Sequence, residues 1–355
     1  LSLELSSELL EVFSCKVNVL SNALFFLHLI DELLEVLLTN FHNNVGVHLD
    51  ESSVAVPSPS GVAGLCCDNV NNLLSNVTVR FLIALGVSGC LITKGTDLSA
   101  GRQVGFAAVI AGILCQRGDY TGRLWKSVPE MNIFLVLLIV IVIGFVWGAV
   151  NGVIITKLHV PPFIATLGTQ KIFRSVTQQL TKTFNPTVPS GFKMIASYRI
   201  GGQVILPVIY WIAVIILMHI IFKKTALGRQ TIAIGSNEKA AKLSGINVSK
   251  VKLKIYALSG IMVAIASVIY LARIGSMDFA NAGAGYEMDA IAAVIVGGTS
   301  MAGGKGSLIG AFIGMLIMGV MNNILKSVGV PTFLCDAIKG AIIIFAVMLQ
   351  KKDNN

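Results

Sequence analysis

The stretch GGTSMAGGKGS at residues 297–307 comes closer than any other to a motif with its own chemistry, the glycine-rich loop that cradles phosphate groups. Such a loop needs a glycine, four residues, Gly-Lys and then Ser or Thr. Here Thr299 stands where the leading glycine belongs, and Gly306 follows Lys305. The stretch also lies between apolar segments and does not follow a soluble strand. We therefore predict no nucleotide site in this chain.

The cysteines, histidines and carboxylates show no spacing suited to a metal site or a catalytic centre. The six cysteines include no CxxC pair, and the five histidines are scattered, so neither a zinc site nor a disulfide framework is indicated. The most apolar segments contain no series of acids that could relay protons. We expect no enzyme activity, no metal and no cofactor in this chain, and no nucleic-acid partner.

A few polar residues lie within or beside apolar segments, where each must find a hydrogen-bond partner. Asp97 precedes a predicted helix start, where a carboxylate favours the positive end of the helix dipole. Capping is its expected role, and gating is the alternative. Asn151 interrupts an apolar run and either links two helices or lines a transport path. Thr166 and Thr169 are further candidates for such a path.

Two other patterns have a structural and a functional interpretation. Gly306, Gly310 and Gly314 repeat every four residues, which favours close packing between helices over a smooth substrate path. Glu287 and Asp289 fall in the first turn of a predicted helix, where acids complement the dipole. The alternative for these acids is a contact with an extracytoplasmic binding protein.

The segments that hold these residues are strongly apolar. The chain of 355 residues is 54% hydrophobic and 13% charged, whereas soluble domains carry about 25% charged residues. Residues 131–156, 200–222, 255–272 and 306–325 contain no Asp, Glu, Lys or Arg. A bilayer core needs roughly 20 such residues in a helix. The sequence therefore predicts an all-α, polytopic transmembrane helical bundle.

Nine helical segments are predicted. The third, fifth, sixth and eighth are the clearest spans, while the second, fourth and seventh carry Gly or Pro that permits a broken or re-entrant helix. The predicted segments are 77–93, 98–116, 132–155, 162–180, 204–222, 255–272, 287–302, 307–325 and 334–350.

Basic residues between the segments predict the orientation. The connections 94–97, 156–161, 223–254, 303–306 and 351–355 hold 13 Lys and Arg, against 8 in those on the other side. The first set is therefore predicted to be cytoplasmic. Most of the difference comes from 223–254, which carries eight bases and one acid, Glu238.

Within this basic loop the sequence predicts a short surface helix. Asn237 can cap a helix over Glu238–Ser244, and Gly245 can end it. A short helix held between two long spans is suited to docking against a cytoplasmic partner. The alternative is that the bases only fix the orientation or meet anionic lipid headgroups.

Several motifs in order resemble the permease subunits of ABC importers for sugars and branched-chain amino acids. Residues 225–254, TALGRQTIAIGSNEKAAKLSGINVSKVKLK, resemble the family's cytoplasmic coupling loop. GTDLSAG (95–101), PPFIATLGT (161–169), YALSG (256–260), AIAAVIVGGTSMAGGKGS (290–307) and IKGAIIIFAV (338–347) are similar to further family segments. The likeness runs from about residue 77 to 349, and the stretch VRFLIALGVSGCLITKGTDLSAGRQVGFAAV is most similar to galactose-type members.

The resemblance implies a transport subunit without its own ATPase site. It implies about ten helices, a homodimer in the bacterial cytoplasmic (inner) membrane, an ABC ATP-binding subunit and a periplasmic or extracytoplasmic sugar-binding protein. Galactose or methyl galactoside is the expected monosaccharide. Ribose, xylose or another small substrate is the alternative. A less favoured alternative function is an ATP-independent secondary transporter. The residues expected to couple ATP hydrolysis to transport are Arg229, Asn237, Glu238, Ala240, Ala241, Gly245 and Ile246.

Residues 1–75 differ from the permease domain predicted over 76–355. They hold nine acids and one base, a net charge of −8, and the remainder carries +17. Asp31, Glu32 and Glu35 interrupt their best hydrophobic stretch, at a cost of about 2.5–3.5 kcal/mol for each carboxylate in the bilayer centre. We expect this segment to lie outside the family fold, as a misjoined reading frame would produce.

Overall fold

The computed structural model describes residues 59–116, 125, 131–182, 185–200, 203–204, 206–327 and 330–352, and they are predominantly helical. In chain order the helices are α1 (Pro59–Ile92), α2 (Ala100–Leu114), α3 (Ile133–Lys157), α4 (Pro162–Thr181), α5 (Ser190–Ser197), α6 (Leu206–His219), α7 (Ala226–Ser236), α8 (Glu238–Leu243), α9 (Val248–Ile274), α10 (Tyr286–Val296), α11 (Leu308–Ser327) and α12 (Thr332–Lys352). Two short strands, β1 (Arg199–Ile200) and β2 (Gln203–Val204), pair antiparallel between α5 and α6.

The predicted all-α class is confirmed, and each of the nine predicted segments contains a helix. The helix predicted over 255–272 begins earlier, at Val248. Two further helix ends differ from the prediction for local reasons. The seventh segment was expected to run to residue 302, but α10 ends at Val296 because Gly298 adopts a φ of +86°. The fifth segment ends in one π-helical turn, Ile220–Lys224, after which the chain bends by 67° into α7.

Among the described residues, four helical stretches are long and apolar enough to cross a bilayer unaided. They are Leu74–Ile92, Ile133–Lys157, Val248–Ile274 and Leu308–Leu325. A fifth span is obtained if the two helices of a bent pair, Ile209–Lys224 and Ala226–Ser236, are counted together. Helices α2 and α10 have 15 and 11 residues, or about 22 and 16 Å at 1.5 Å per residue, against about 30 Å of hydrocarbon. Neither α2 nor α10 is therefore long enough to cross the hydrocarbon as one straight helix, and whether they form broken or re-entrant spans stays a prediction.

The centre of the bundle is built by the close approach of α3 and α9. Side chains at Gly144 and Gly148 would collide with the backbone carbonyls of Gly260 and Tyr256. The absence of side chains there lets the two backbones touch, which is how helices associate where lipid is as apolar as their own surfaces.

The glycines spaced by four residues near the start of α11 also serve packing. A side chain at Gly310 would collide with the carbonyl of Gly297, and one at Gly314 with that of Ala293. Gly306 lies against the side chain of Ile92. The packing interpretation is therefore confirmed for Gly310 and Gly314, which are buried against neighbouring segments of the same chain, whereas Gly306 is exposed and precedes the helix.

The acidic segment 1–75 lies mostly outside the described residues. Helix α1 begins at Pro59, earlier than the predicted first segment, and it continues without a break into the apolar stretch from Leu74. Whether residues 1–75 belong to the family fold stays a prediction.

Candidate functional site

The short helix predicted in the basic loop is present as α8, and its first turn is capped as expected. The side chain of Asn237 accepts a hydrogen bond from the backbone N–H of Ala240 at 3.0 Å. This bond satisfies one of the amides that a helix start leaves without an intrahelical partner.

The end of α8 closes in a Schellman motif. Gly245 has a φ of +81°, and its N–H donates to the carbonyl of Lys242 at 3.1 Å. The N–H of Ile246 donates to the carbonyl of Ala241, also at 3.1 Å, which is the 6→1 bond of that motif. Ala241 is buried, and Ile246 packs with it against a small apolar cluster that includes Ile234 and Val251. The helix is therefore fixed at both ends and on one face.

The outward face of α8 is fully accessible in the single chain. Asn237, Glu238, Ala240 and Gly245 are exposed, and so is Arg229 on the preceding helix α7. Glu238 forms an ion pair with Lys252, whose Nζ atom donates a hydrogen bond to Glu238 Oε2 at 2.8 Å. This acid is therefore bonded to another residue of the basic loop.

Leu243 is exposed to 90% at the end of α8, and the sequence reasoning missed it. Single exposed leucines are common on protein surfaces, and this one lies at the end of a capped helix next to exposed lysines. Its place among the surrounding lysines was the signal that could have revealed it.

Helix α8 is connected to the membrane helices through backbone contacts. At the end of α7, a side chain on Gly235 would collide with the carbonyl of Ile92, the last residue of α1. The N–H of Gly304 donates to the same carbonyl at 3.0 Å. The glycine-rich stretch 297–307 therefore joins α1, α7 and α11 next to α8, which accounts for its glycines without a phosphate.

A second group of predicted residues forms a buried polar network at the start of α2. Asp97 Oδ1 accepts from Ser99 Oγ at 2.6 Å and from the Ser99 N–H at 3.1 Å. Its Oδ2 accepts from Ser259 Oγ on α9 at 3.1 Å. Asn151 Nδ2, on α3, donates to Ser99 Oγ at 2.9 Å. Asp97 and Asn151, far apart in sequence, therefore meet through Ser99.

The two threonines of α4 are buried but play different parts. Thr166 Oγ1 donates to the carbonyl of Pro162 at 2.8 Å and lies 3.4 Å from the carbonyl oxygen of Thr96. The hydroxyl of Tyr256 donates to the same Thr96 carbonyl at 3.2 Å. Thr169 donates to the carbonyl of Thr166 at 3.1 Å and stays outside the network. These bonds connect the start of α2 to α3, α4 and α9, so the network's geometry is that of a brace. Asn151 Oδ1 is buried without a hydrogen-bond partner among the described residues.

The acids of α10 are also buried, which contradicts a direct contact of these two side chains with a binding protein. Glu287 is 4% exposed and Asp289 7%. Asp289 forms ion pairs with Arg80 of α1 at 2.9 Å and with Lys339 of α12 at 3.2 Å. The guanidinium of Arg80 also lies 4.4 Å from the ring centre of Tyr286. The sequence reasoning missed this ion-pair cluster, because its members come from three distant segments.

The non-helical stretch before α10 is organised by Asp278. The Ala280 N–H donates to its carboxylate, as does the Asn281 side chain, both at 2.9 Å. These bonds lower the pKa of Asp278, with the Ala280 amide as the largest cause, because they favour the charged form.

Helix α4 leaves most of its surface uncovered within the single chain. Its buried positions form one narrow stripe, Ala165, Thr166, Thr169, Phe173, Thr177 and Thr181. Its exposed positions mix charged, polar and apolar side chains: Phe163, Ile164, Leu167, Lys171, Ile172, Arg174, Ser175, Val176 and Gln179. A face of this kind does not suit hydrocarbon.

Comparison with known proteins decides the family. Residues 69–347 match the family described as branched-chain amino acid transport system / permease component. The chain belongs to this permease family. The predicted resemblance is confirmed, and together with the apolar helices it shows that the permease is a multi-pass membrane protein.

The relatives of the permease are transport subunits. It is 43% identical over 289 residues to the galactose/methyl galactoside import permease protein of Escherichia coli (strain K12), covering 79% of this chain and 86% of the relative. It is 41% identical over 294 residues to the protein of the same name from Haemophilus influenzae, with the same coverages. It is 38% identical over 305 residues to the ribose import permease protein of Bacillus subtilis (strain 168), covering 84% and 88%. No solved structure matches the chain.

Proposed function

We propose that this permease is the membrane-spanning subunit of an ATP-driven importer that carries a monosaccharide into the cytoplasm. Galactose or methyl galactoside is the first candidate, because the relatives named for these sugars are 43% and 41% identical and the ribose relative 38%. Ribose is the second candidate. The inner membrane is the proposed location, and ATP is bound by a separate subunit.

The observation that carries this proposal is α8, a surface helix fixed by its caps and joined to the ends of three membrane helices. Its tip presents Leu243, 90% exposed, among exposed bases including Lys239 and Lys242. An apolar anchor within a charged rim is typical of a docking site. We assign this surface to the ATP-binding subunit, whose movement would reach α1 and α11 through Gly235 and Gly304.

The exposed face of α4 supports a second element of the proposal, a homodimer with the sugar path between the copies. Lys171, Arg174 and Ser175 lie on this face, and a cation at the bilayer centre costs about 2.5–3.5 kcal/mol on insertion scales. A water-filled path shared with a second copy removes that cost and offers hydroxyl-compatible groups to a sugar. A sugar-binding protein delivers the cargo at the end opposite α8.

Uptake of labelled sugar tests the cargo. The permease, its ATP-binding subunit and its binding protein would be expressed together in cells that lack their own galactose and ribose uptake. We expect energy-dependent accumulation of galactose that excess methyl galactoside inhibits more strongly than excess ribose. Stronger inhibition by ribose would transfer the cargo to the second candidate, and uptake by the permease alone without ATP would refute the importer.

The docking surface is tested by Leu243→Lys, with Leu158→Lys as a matched control. Leu158 is 67% exposed at the end of α3, on the same predicted side but outside the basic loop. We expect Leu243→Lys to lower uptake by about tenfold, as the loss of an interface anchor does, with an unchanged amount of permease in the membrane. Equal uptake by the two variants would contradict docking at α8.

A further inference from the structure

The two short helices α2 and α10 meet at their N-terminal ends inside the bundle. A side chain at Gly101, in the first turn of α2, would collide with the Gly283 carbonyl and with the carboxylate of Glu287, in the first turn of α10. One turn further along, a side chain at Gly105 would come within 2.6 Å of the Ala282 carbonyl. The two helix starts are thus in direct contact, without intervening side chains other than that of Glu287.

The carboxylate of Glu287 lies where the positive ends of two helix dipoles come together. Each helix start carries the equivalent of roughly half a positive charge from its unpaired N–H groups, so two starts in contact repel each other. The carboxylate of Glu287 lies in the first turn of its own helix and against the first turn of the other. Glu287 is 4% exposed, and its Oε2 atom is buried without a hydrogen-bond partner among the described residues. A negative charge held there is costly unless both helix starts stabilise it.

The other carboxylate oxygen of Glu287 connects this junction to α4. Gln170 Nε2 donates to Glu287 Oε1 at 2.8 Å. Gln170 is half-buried at the border of the exposed α4 face, next to Lys171. Arg102, one residue after Gly101, donates to the Ala280 carbonyl at 2.8 Å, so the stretch before α10 is fastened to α2 as well.

We propose that Glu287 and Gln170 are positioning residues for transport, which tie α4 to the junction of α2 and α10 so that the three helices move as one body. This inference rests on the proposed function, because a positioning role in transport requires that α4 lines the sugar path. Movement of α2 and α10 would then change the position of α4 through this charge-assisted hydrogen bond, a bond of the stronger class. The bond adds to the packing of Phe106 of α2 against Phe173 of α4.

Exchange of the two side chains tests the proposal in transport. Glu287→Gln removes the charge, and the double variant Gln170→Glu/Glu287→Gln returns a carboxylate to the same pair. We expect Glu287→Gln to lower the maximal uptake rate by roughly fivefold or more, the usual size of a coupling effect, with an unchanged half-saturating sugar concentration. The double variant is expected to recover at least half of the lost rate. A double variant no faster than Glu287→Gln, or full uptake by Glu287→Gln, would overturn the proposal.

Asp336→Asn is the control for the loss of a carboxylate elsewhere. The Asp336 side chain is 74% exposed on α12, where it pairs with Lys339. Lys339 keeps its other ion pair, with Asp289 of α10, when the Asp336 carboxylate is removed. This removal should therefore leave uptake within about twofold, as expected of an exposed ion pair. A loss equal to that of Glu287→Gln would show a general charge effect and overturn the proposal. Absence of sugar uptake by the unaltered importer would instead refute the proposed function.

Hydrogen exchange of the purified permease in lipid nanodiscs tests the same tie without a substrate. Gln170→Ala alters only α4 and removes no charge. We expect faster amide exchange over residues 98–104 and 278–290, in the two junction segments, with unchanged exchange over α9. Unchanged amide exchange in both junction segments would overturn the proposal, whatever the transport rate of this variant.

Discussion

Helices α3 and α4 both expose a long face in the single chain, but the two faces differ in chemistry. The exposed residues of α3 include Phe134, Leu135, Leu138, Val142, Phe145 and Val146, and the most apolar 18-residue stretch of this helix has a mean hydropathy of 3.1. The exposed residues of α4 include Lys171, Arg174, Ser175 and Gln179 among its apolar ones. Exposure alone therefore does not say what covers a helix in a membrane protein. The α3 face fits lipid, whereas the α4 face carries charged and polar groups that do not, in line with the proposed path and second copy.

The opposite face of α3 extends the comparison. It carries Gly144, Gly148, Asn151 and Gly152, all buried, and it lies against α9. One helix therefore presents bulky apolar residues to lipid and small or polar residues to protein, which is the usual division in membrane bundles. In α4 the buried stripe is narrow and rich in threonine, so most of its surface remains for a path or a partner.

The largest expected difference between the two exposed faces is in their tolerance of charge. Val142→Arg places a cation against hydrocarbon in the middle of α3, at an insertion cost of about 2.5–3.5 kcal/mol. Ile172→Arg places the same charge on the α4 face, beside cations that are already there. Quantitative immunoblots of the membrane fraction should show a severe loss of the first variant and little loss of the second. Equal losses would remove the distinction between the faces.

A smaller effect is expected from a bulky residue on the buried face of α3. Gly148→Leu would collide with the carbonyl of Tyr256 and should lower the free energy of unfolding by about 1–3 kcal/mol, as overpacking does. Phe145→Leu, on the exposed face, is the control and should change it little. Thermal unfolding in detergent measures both. A normal midpoint for Gly148→Leu would mean that α3 and α9 do not pack as closely as described.

The smallest effect is expected from the polar brace. Asn151→Leu removes the hydrogen bond from Asn151 to Ser99 but leaves the bonds between Ser99 and Asp97. We expect a loss of about 0.5–1.5 kcal/mol in stability, the usual net value of one neutral hydrogen bond, and near-normal uptake. Ile154→Leu, half-buried on the same helix, provides the baseline. A loss of transport at normal stability would assign Asn151 to the sugar path instead.

The sequence predicted the local features best, because their causes are local. Asn237 and Gly245 lie at the two ends of a six-residue helix, and their side-chain chemistry and backbone freedom are enough to place it. Gly298 shows the limit of the same reasoning. The helix that became α10 was predicted to run to residue 302, although Gly297 and Gly298 lie within that segment and the helix ends before them.

Features made by distant residues could not be predicted in the same way. Asp97 and Asn151 were each recognised as polar residues in need of a partner, but the Ser99 and Ser259 hydroxyls that join them were not distinguishable from other serines. Arg80, Asp289 and Lys339 come from α1, α10 and α12, and nothing in their neighbours along the chain indicates that they meet. The packing of the helices creates these sites.

Labelling of single cysteines with a small, water-soluble, charged thiol reagent tests the central claim most directly. Ser175→Cys on α4 and Val142→Cys on α3 would be compared in intact membranes that contain the assembled importer, with the native cysteines replaced. If α4 lines a water-filled path, the cysteine at position 175 reacts rapidly and the one at position 142 does not react, because the thiolate needed for the reaction does not form in hydrocarbon. Equal protection of the two positions, or labelling of position 142 alone, would contradict the assignment of α4 to the path.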